Sequence, residues 1–250
     1  MKVIALYSIK GGVGKTASAV NLAYAAANSG YKTLVWDLDP QGASSFYFRI
    51  KPKIKGGGKD LIAGKHDLDD LIKGTDFDNL DLLPADFSFR NLDLVLDHKK
   101  KPAAQLKKRL KTLSEHYDFI FLDCPPNISL LSEAVFEASD LLLSPIIPTT
   151  LSMRTLEQLK SFLADQGLKK QRLVLFFSMV DRRKKMHLEM MKTLAQNYPE
   201  LLNTAIPYAS EIERMGLERK PLAAFSAKSP VAKIYESLWQ ETLGQITSLK

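Results

Sequence analysis

Lys10 to Thr16 reads KGGVGKT, and these residue types at this spacing suit one task, the holding of an anion. Gly11, Gly12 and Gly14 let successive backbone N–H groups turn inward around phosphate oxygens, Lys15 brings charge to the outer phosphates, and the Thr16 hydroxyl can ligate Mg2+. Phosphoryl transfer to water also needs acidic groups beside such a loop, to hold the metal and orient the water. WDLDPQG places Asp37 and Asp39 two residues apart and so on one side of an extended segment, while YDFIFLDCPPN ends a four-residue apolar run in Asp123. A lone strand-ending aspartate is as often a turn former. Beside KGGVGKT the balance shifts to a site for a nucleoside triphosphate and Mg2+.

The elements that must position these residues follow from hydrophobic patterning. KVIALYS precedes the glycine loop and the Ala-rich TASAVNLAYAAANS follows it, a strand, a turn and a helix. TLVWDLD, LDLLP, FIFLD, LLLSPII and RLVLFFS read as further strands, alternating with helix-period segments such as AAQLKKRLKTL, LEQLKSFLADQ, LEMMKTLAQ and VAKIYESLWQETLGQI. Runs as continuously apolar as 119–122 and 173–177 must be buried on both faces, which is the condition inside a parallel sheet. The expected fold is α/β, a doubly wound, mostly parallel sheet with helices on both faces, forming a single domain over residues 1–250. Its ligand belongs at the carboxyl ends of the strands. The segment from Arg49 to Asp60, RIKPKIKGGGKD, is basic and glycine-rich without period, and is expected to be a mobile loop.

Composition narrows the function classes. The 250 residues are 45% hydrophobic and 25% charged, ordinary for a globular chain, and no apolar run approaches the length needed to span a bilayer. One cysteine, Cys124, excludes an intramolecular disulfide; with no cleavage-site pattern at the N-terminus, the expected location is cytoplasmic. The formal charge of +7 favours polyanionic partners, and it is uneven. Leu168 to Lys192 holds eight Lys or Arg against Asp181 and Glu189, and Lys99 to Lys111 holds seven. On charge alone such clusters are as readily solvated faces.

Two departures give the loop its character: Ile9 stands where the general GxxxxGK[ST] pattern has glycine, and Lys10 adds a second lysine. In this the segment resembles the deviant Walker A motif, and Asp123 resembles a Walker B aspartate. WDLDPQGA, DCPPNISLL, LDLLPAD, ASDLLLSPIIP, SMVDRR and IPYASEIERMG with RKPL extend the resemblance over nearly the whole chain, to the ParA-like ATPases of the ParA/MinD superfamily. The resemblance implies an ATP hydrolase with ATP and Mg2+ as cofactors. Gly11, Gly12, Val13, Gly14, Lys15, Thr16 and Ala17 hold the nucleotide, with Met179, Pro207 and Tyr208 around it, the last two closing over the adenine. Lys10 reaches across a dimer interface to the partner's ATP. Asp39 positions the lytic water with Asp37 in support, and Asp123 holds Mg2+ through water, Thr16 and Asp39 completing the metal set.

The same resemblance implies partners: a homodimer when ATP is bound, non-specific duplex DNA contacted by Arg183, Lys184, Lys185, Arg219 and Lys220, and a ParB-like or adaptor protein that stimulates hydrolysis. The role is positioning or segregating a cargo such as a plasmid, chromosome origin or carboxysome, nucleoid-associated and with no membrane expected. With a phosphate loop starting by residue 10, the expectation is a small ParA form or orphan positioning ATPase rather than the larger type with an N-terminal helix-turn-helix extension. The apolar stripe Val231, Ile234, Tyr235, Leu238, Trp239, Leu243 and Ile246 is expected to pack in the core rather than on lipid, only Thr247 to Lys250 lying beyond it. Two alternatives are a MinD-like membrane-cycling ATPase and an ATP-dependent metabolic ligase on the same fold.

Overall fold

Each apolar run that reads as a strand is a strand in the computed structural model, which describes residues 1–165, 167 and 173–248. In chain order the elements are β1 (Lys2–Leu6), α1 (Lys15–Asn28), β2 (Thr33–Asp37), α2 (Ala43–Tyr47), α3 (Gly57–Ala63), α4 (Leu68–Leu71), β3 (Lys73–Gly74) and β4 (Leu80–Leu83). There follow α5 (Leu92–Asp97), α6 (Pro102–Lys111), β5 (Phe119–Asp123), α7 (Leu130–Ala138), β6 (Leu141–Ile146), α8 (Thr150–Asp165) and β7 (Leu173–Val180). The chain then runs through α9 (Lys185–Asn197), β8 (Leu201–Pro207), α10 (Ser210–Glu218), α11 (Leu222–Phe225) and α12 (Pro230–Thr247).

The strands form one sheet in the order β3-β4-β2-β5-β1-β6-β7-β8, parallel throughout except for β3 against β4. From β1 the chain first crosses toward β2 and β4, returns through β5, and then proceeds to the other side through β6. The two directions of winding therefore part at β1, and there the carboxyl edge of the sheet opens into a crevice.

Alternation along each strand feeds two cores. Val3, Ala5 and Tyr7 face one layer with Ile120 and Leu122, where Leu61, Leu106, Leu131, Leu156 and Leu194 cover them from α3, α6, α7, α8 and α9. Ile4, Leu6 and Phe121 face the other, against the alanines of α1 and residues of α10, α11 and α12. Trp239 of α12 packs edge-on to Phe119 at 5.0 Å, and Val231, Tyr235, Leu238 and Ile246 are buried with it, so the stripe on the last helix is core. No helix among the described residues is long and apolar enough to cross a membrane.

The 49–60 segment differs from the expectation of a mobile loop. Ile54 is buried and its N–H donates to Asp86 Oδ2 at 3.0 Å, Gly58 N–H donates to Ser88 Oγ at 2.8 Å, and α3 begins at Gly57. The apolar pair Leu61 and Ile62 just beyond the glycines supplies the burial that fixes it.

Candidate functional site

The glycine loop spans the gap between β1 and α1 at the crevice. Gly12 (φ 68°) and Gly14 (φ 87°) are left-handed, the conformation that glycine adopts without strain. A side chain at Gly14 would also place Cβ 2.9 Å from Ser178 Oγ, whereas at Gly12 it would meet nothing within 4 Å, so the loop opens outward there. Helix α1 starts with no side-chain cap and no acidic residue in its first turn, leaving its free N–H groups and positive dipole end for an anion. Lys15 is buried and its Nζ donates to Lys10 O at 3.1 Å. Burial pushes its ammonium pKa down, and the nearby Asp123, Cys124 and Asp39 oppose that shift without cancelling it. Val13 is buried beneath the loop; Lys10 is half-buried at its rim.

The three aspartates gather beside it. Asp37 and Asp123 end β2 and β5, stand opposite one another in register and are fully buried. Thr16 Oγ1 donates to Asp123 Oδ1 at 3.3 Å, and Ser44 Oγ to Asp123 Oδ2 at 2.8 Å. Asp37 Oδ2 accepts from both the backbone N–H and the hydroxyl of Ser45, each at 2.8 Å, while Ser45 Oγ accepts from Ala85 N–H at 3.0 Å. Burial raises both carboxyl pKa values; Asp123 raises that of Asp37 further, while the Ser44 and Thr16 hydroxyls oppose the rise at Asp123. Asp39 is partly exposed, and its Oδ1 accepts from Gln41 N–H at 2.9 Å. Thr16 and Asp123 thus meet directly, and Asp39 stands outside that contact at the solvent edge.

Ser44 and Ser45 are the residues that sequence reasoning missed. Their signal is local: two adjacent hydroxyls after DPQG, followed by Phe46, Tyr47 and Phe48, announce a short element with polar groups turned inward.

A hollow of about 190 Å³ lies beside the loop, lined by Gly12, Gly14, Ala17, Met179, Pro207 and Tyr208, so the residues assigned around a base do come together. Met179 gets there through a register irregularity between β7 and β8 and its own positive φ of 54°. Ile212 and Glu213 of α10 complete the far wall.

The basic candidates divide into two groups. Arg183 is 86% exposed yet forks onto Asp181 through Nε at 2.9 Å and Nη2 at 3.0 Å, drawing the Asp181 carboxyl down to about 2. Lys184 precedes α9, and Lys185 lies 3.7 Å from Glu189. Arg219 and Lys220 lie instead between α10 and α11, elements packed on the opposite layer of the sheet, and Arg219 is engaged with Phe46. Lys169, Lys170 and Arg172 of the same basic cluster lie outside the described residues.

Three comparisons bear on this geometry. Residues 1–173 match the AAA domain family. The chain is 29% identical to the chromosome-partitioning ATPase Soj of Treponema pallidum, covering 98% of each chain. In fold it is similar to a plasmid partition protein of Borrelia burgdorferi B31 bound to AMPPNP (TM-score 0.86, 24% identity, 98% of this chain and 99% of that one). It is similar also to cobyrinic acid a,c-diamide synthase of Mycobacterium smegmatis with bound ADP and magnesium (TM-score 0.84, 23% identity, 100% and 97%).

Proposed function

The chain belongs to the AAA domain family, as a ParA-like P-loop ATPase of the ParA/MinD superfamily, and on that premise we propose that it is a partition-type ATPase acting as one unit over residues 1–250. It binds Mg·ATP at the glycine loop and dimerises around two such nucleotides. In that state it holds duplex DNA non-specifically, and it lets go when a ParB-like or adaptor protein stimulates hydrolysis. The observation that carries this reading is the convergence of the loop with Asp37, Asp39 and Asp123 at the carboxyl ends of three adjacent strands, β2, β5 and β1.

The residues present fit both ligands. Lys15 is a buried ammonium with, among the described residues, a single carbonyl partner, at the foot of a glycine cradle open to solvent. Thr16 and Asp123 pair a hydroxyl with a carboxylate, the hard oxygen donors that suit Mg2+. When bound, the cation neutralises charge on the outer phosphates.

Lys15 and the loop N–H groups orient the phosphates, and the Met179, Pro207 and Tyr208 hollow takes the base. Asp39, at the solvent edge, orients the attacking water in line with the outer phosphate. Lys10 contributes its charge to the nucleotide of the second subunit. Arg183, Lys184, Lys185 and Lys220 offer charge to DNA phosphates without base readout.

The test is one preparation given ADP or ATP with Mg2+, each with and without an unrelated duplex, and then, with ATP, anionic liposomes, the cognate partner or a small-molecule acceptor in turn. Light scattering should show a dimer with ATP alone, mobility shifts should require ATP, and slow phosphate release should rise with the cognate partner. A nucleotide-independent monomer that binds anionic liposomes instead of DNA would replace this reading with the membrane-cycling one. Turnover that depends on a small-molecule acceptor and ignores DNA would replace it with the ligase.

A further inference from the structure

Arg219 closes α10 in a left-handed conformation (φ 51°) and turns onto α2. Its guanidinium carbon stands 4.5 Å from the Phe46 ring centroid, and its Nε donates to Phe46 O at 3.1 Å. One residue earlier the Glu218 carbonyl accepts from Arg49 Nη2 at 2.9 Å, fastening the end of α10 to the turn that follows α2. Helix α2 needs such fastening: it has five residues and no side-chain cap, far below the length at which a helix is stable alone. Its inward face carries Ser44 and Ser45 to Asp123 and Asp37, and its outward face carries Phe46 to Arg219. The helix that supplies Arg219 is the one whose Ile212 and Glu213 wall the base hollow.

We propose that Arg219 is a positioning residue for hydrolysis. By holding α2 to the end of α10, it sets the Ser44 and Ser45 hydroxyls, and through them the Asp123 and Asp37 carboxylates, in a geometry tied to occupancy of the hollow. The inference rests on the ATP reading of the loop and hollow. It gives Arg219 a task other than the phosphate contact that its charge suggests, since one face and the Nε of its guanidinium are already engaged by Phe46. A displacement of α2 by even an ångström is transmitted to both carboxylates and slows the chemical step without removing any group that touches the nucleotide.

The experiment compares wild type, Arg219→Ala, Arg219→Lys, Phe46→Leu and the Arg219→Ala/Phe46→Leu double variant, all without DNA. A fluorescent ADP analogue reports affinity, and phosphate release at saturating ATP reports turnover. Arg219→Ala should lower kcat about 10-fold while analogue affinity stays within about twofold, the pattern of a group that acts on the chemical step alone. Arg219→Lys, which can still lie over the ring and donate to Phe46 O, should recover part of the loss. The double variant should be no slower than Arg219→Ala, because both changes sever one connection. Turnover of Arg219→Ala within twofold of wild type, or independent multiplying effects in the double variant, would each overturn the proposal. A wild-type chain that failed to bind the analogue would instead bring down the ATP reading, and this inference with it.

Discussion

Asp37 and Asp123 face each other across the β2–β5 register with no solvent contact, and two consecutive serines on α2 serve one carboxylate each, Ser45 bonding Asp37 and Ser44 bonding Asp123. Two buried acids side by side disfavour each other's ionisation, and burial disfavours both. Such a pair is poorly suited to hold the empty site together. It is suited to receiving positive charge.

Asp37→Asn should therefore stabilise the nucleotide-free chain, and increasingly so as pH rises. In the wild type the folded-state pKa of Asp37 lies above its unfolded value, so the folded state binds the extra proton and stability falls with rising pH, from the unfolded carboxyl pKa of about 3.9 upward. Asparagine has no such dependence and can still accept from Ser45. Thermal melts at pH 4.5 and 7.5 should show a gap between variant and wild type that is small at the lower pH and larger at the higher. A gap that shrinks with rising pH would mean that Asp37 is charged and well stabilised in the empty site.

Ser45→Ala removes a hydroxyl that donates to Asp37 and accepts from Ala85 N–H; Asp37 Oδ2 keeps the Ser45 backbone N–H, but the buried Ala85 N–H loses its partner. A cost of about 2 kcal/mol in unfolding free energy is expected, within the range for unsatisfied buried groups. Urea denaturation of the nucleotide-free chain measures it, and a midpoint equal to wild type would show that water replaces the hydroxyl.

Lys15→Ala should abolish nucleotide binding, because it is the buried ammonium at the foot of the loop. Lys10→Ala is expected to keep nucleotide affinity and lose the ATP-dependent dimer together with turnover, if its charge acts on the partner's nucleotide as proposed. Equilibrium binding and light scattering on both variants separate the two lysines. A full ATP-dependent dimer in Lys10→Ala with normal turnover would refute the role in trans.

What was legible in the sequence were the parts governed by local rules. KGGVGKT between an apolar run and an Ala-rich helix fixes a strand, a left-handed turn and a helix start. The unbroken apolar runs 119–122 and 173–177 demand a sheet covered on both faces, as found. Less legible were approaches made only in the tertiary fold. Met179 reaches the hollow through a bulge and a positive φ that no residue type announces. Helix α3 forms where glycines and lysines predict a loop, because Asp86 and Ser88, about 30 residues on in sequence, bond its leading turn. Arg219 looks like one more basic residue until Phe46 is beneath it.

Asp39→Ala should bind ATP and form the dimer yet hydrolyse slowly. Its carboxylate is at the solvent edge, bonded only to the Gln41 N–H among the described residues, so its loss removes the group proposed to orient water and no phosphate ligand. Partner-stimulated phosphate release at saturating ATP is the measurement, with a fall of about 100-fold expected from loss of an oriented nucleophile. Normal stimulated turnover would transfer the role to another residue.

The last prediction turns on the Arg183–Asp181 fork. In the free chain Arg183 gives its Nε and Nη2 to Asp181, so that carboxylate offsets its charge and competes with a DNA phosphate for it. Asp181→Asn should accordingly raise the ATP-dependent affinity for an unrelated duplex severalfold, by freeing Arg183 and removing a negative charge from the same patch. Replacing Arg183, Lys184 and Lys185 by Glu should do the reverse and flatten the dependence of log K on log salt by about 0.9 for each DNA phosphate that is no longer neutralised. Because the proposed ATP-made dimer would present the patch twice, both changes should be felt more strongly with ATP than with ADP. Mobility shifts at two salt concentrations in each nucleotide state give the answer. If Asp181→Asn binds no tighter and the triple Glu variant keeps the wild-type salt slope, the start of α9 is a solvated rim and the DNA surface lies elsewhere on the chain.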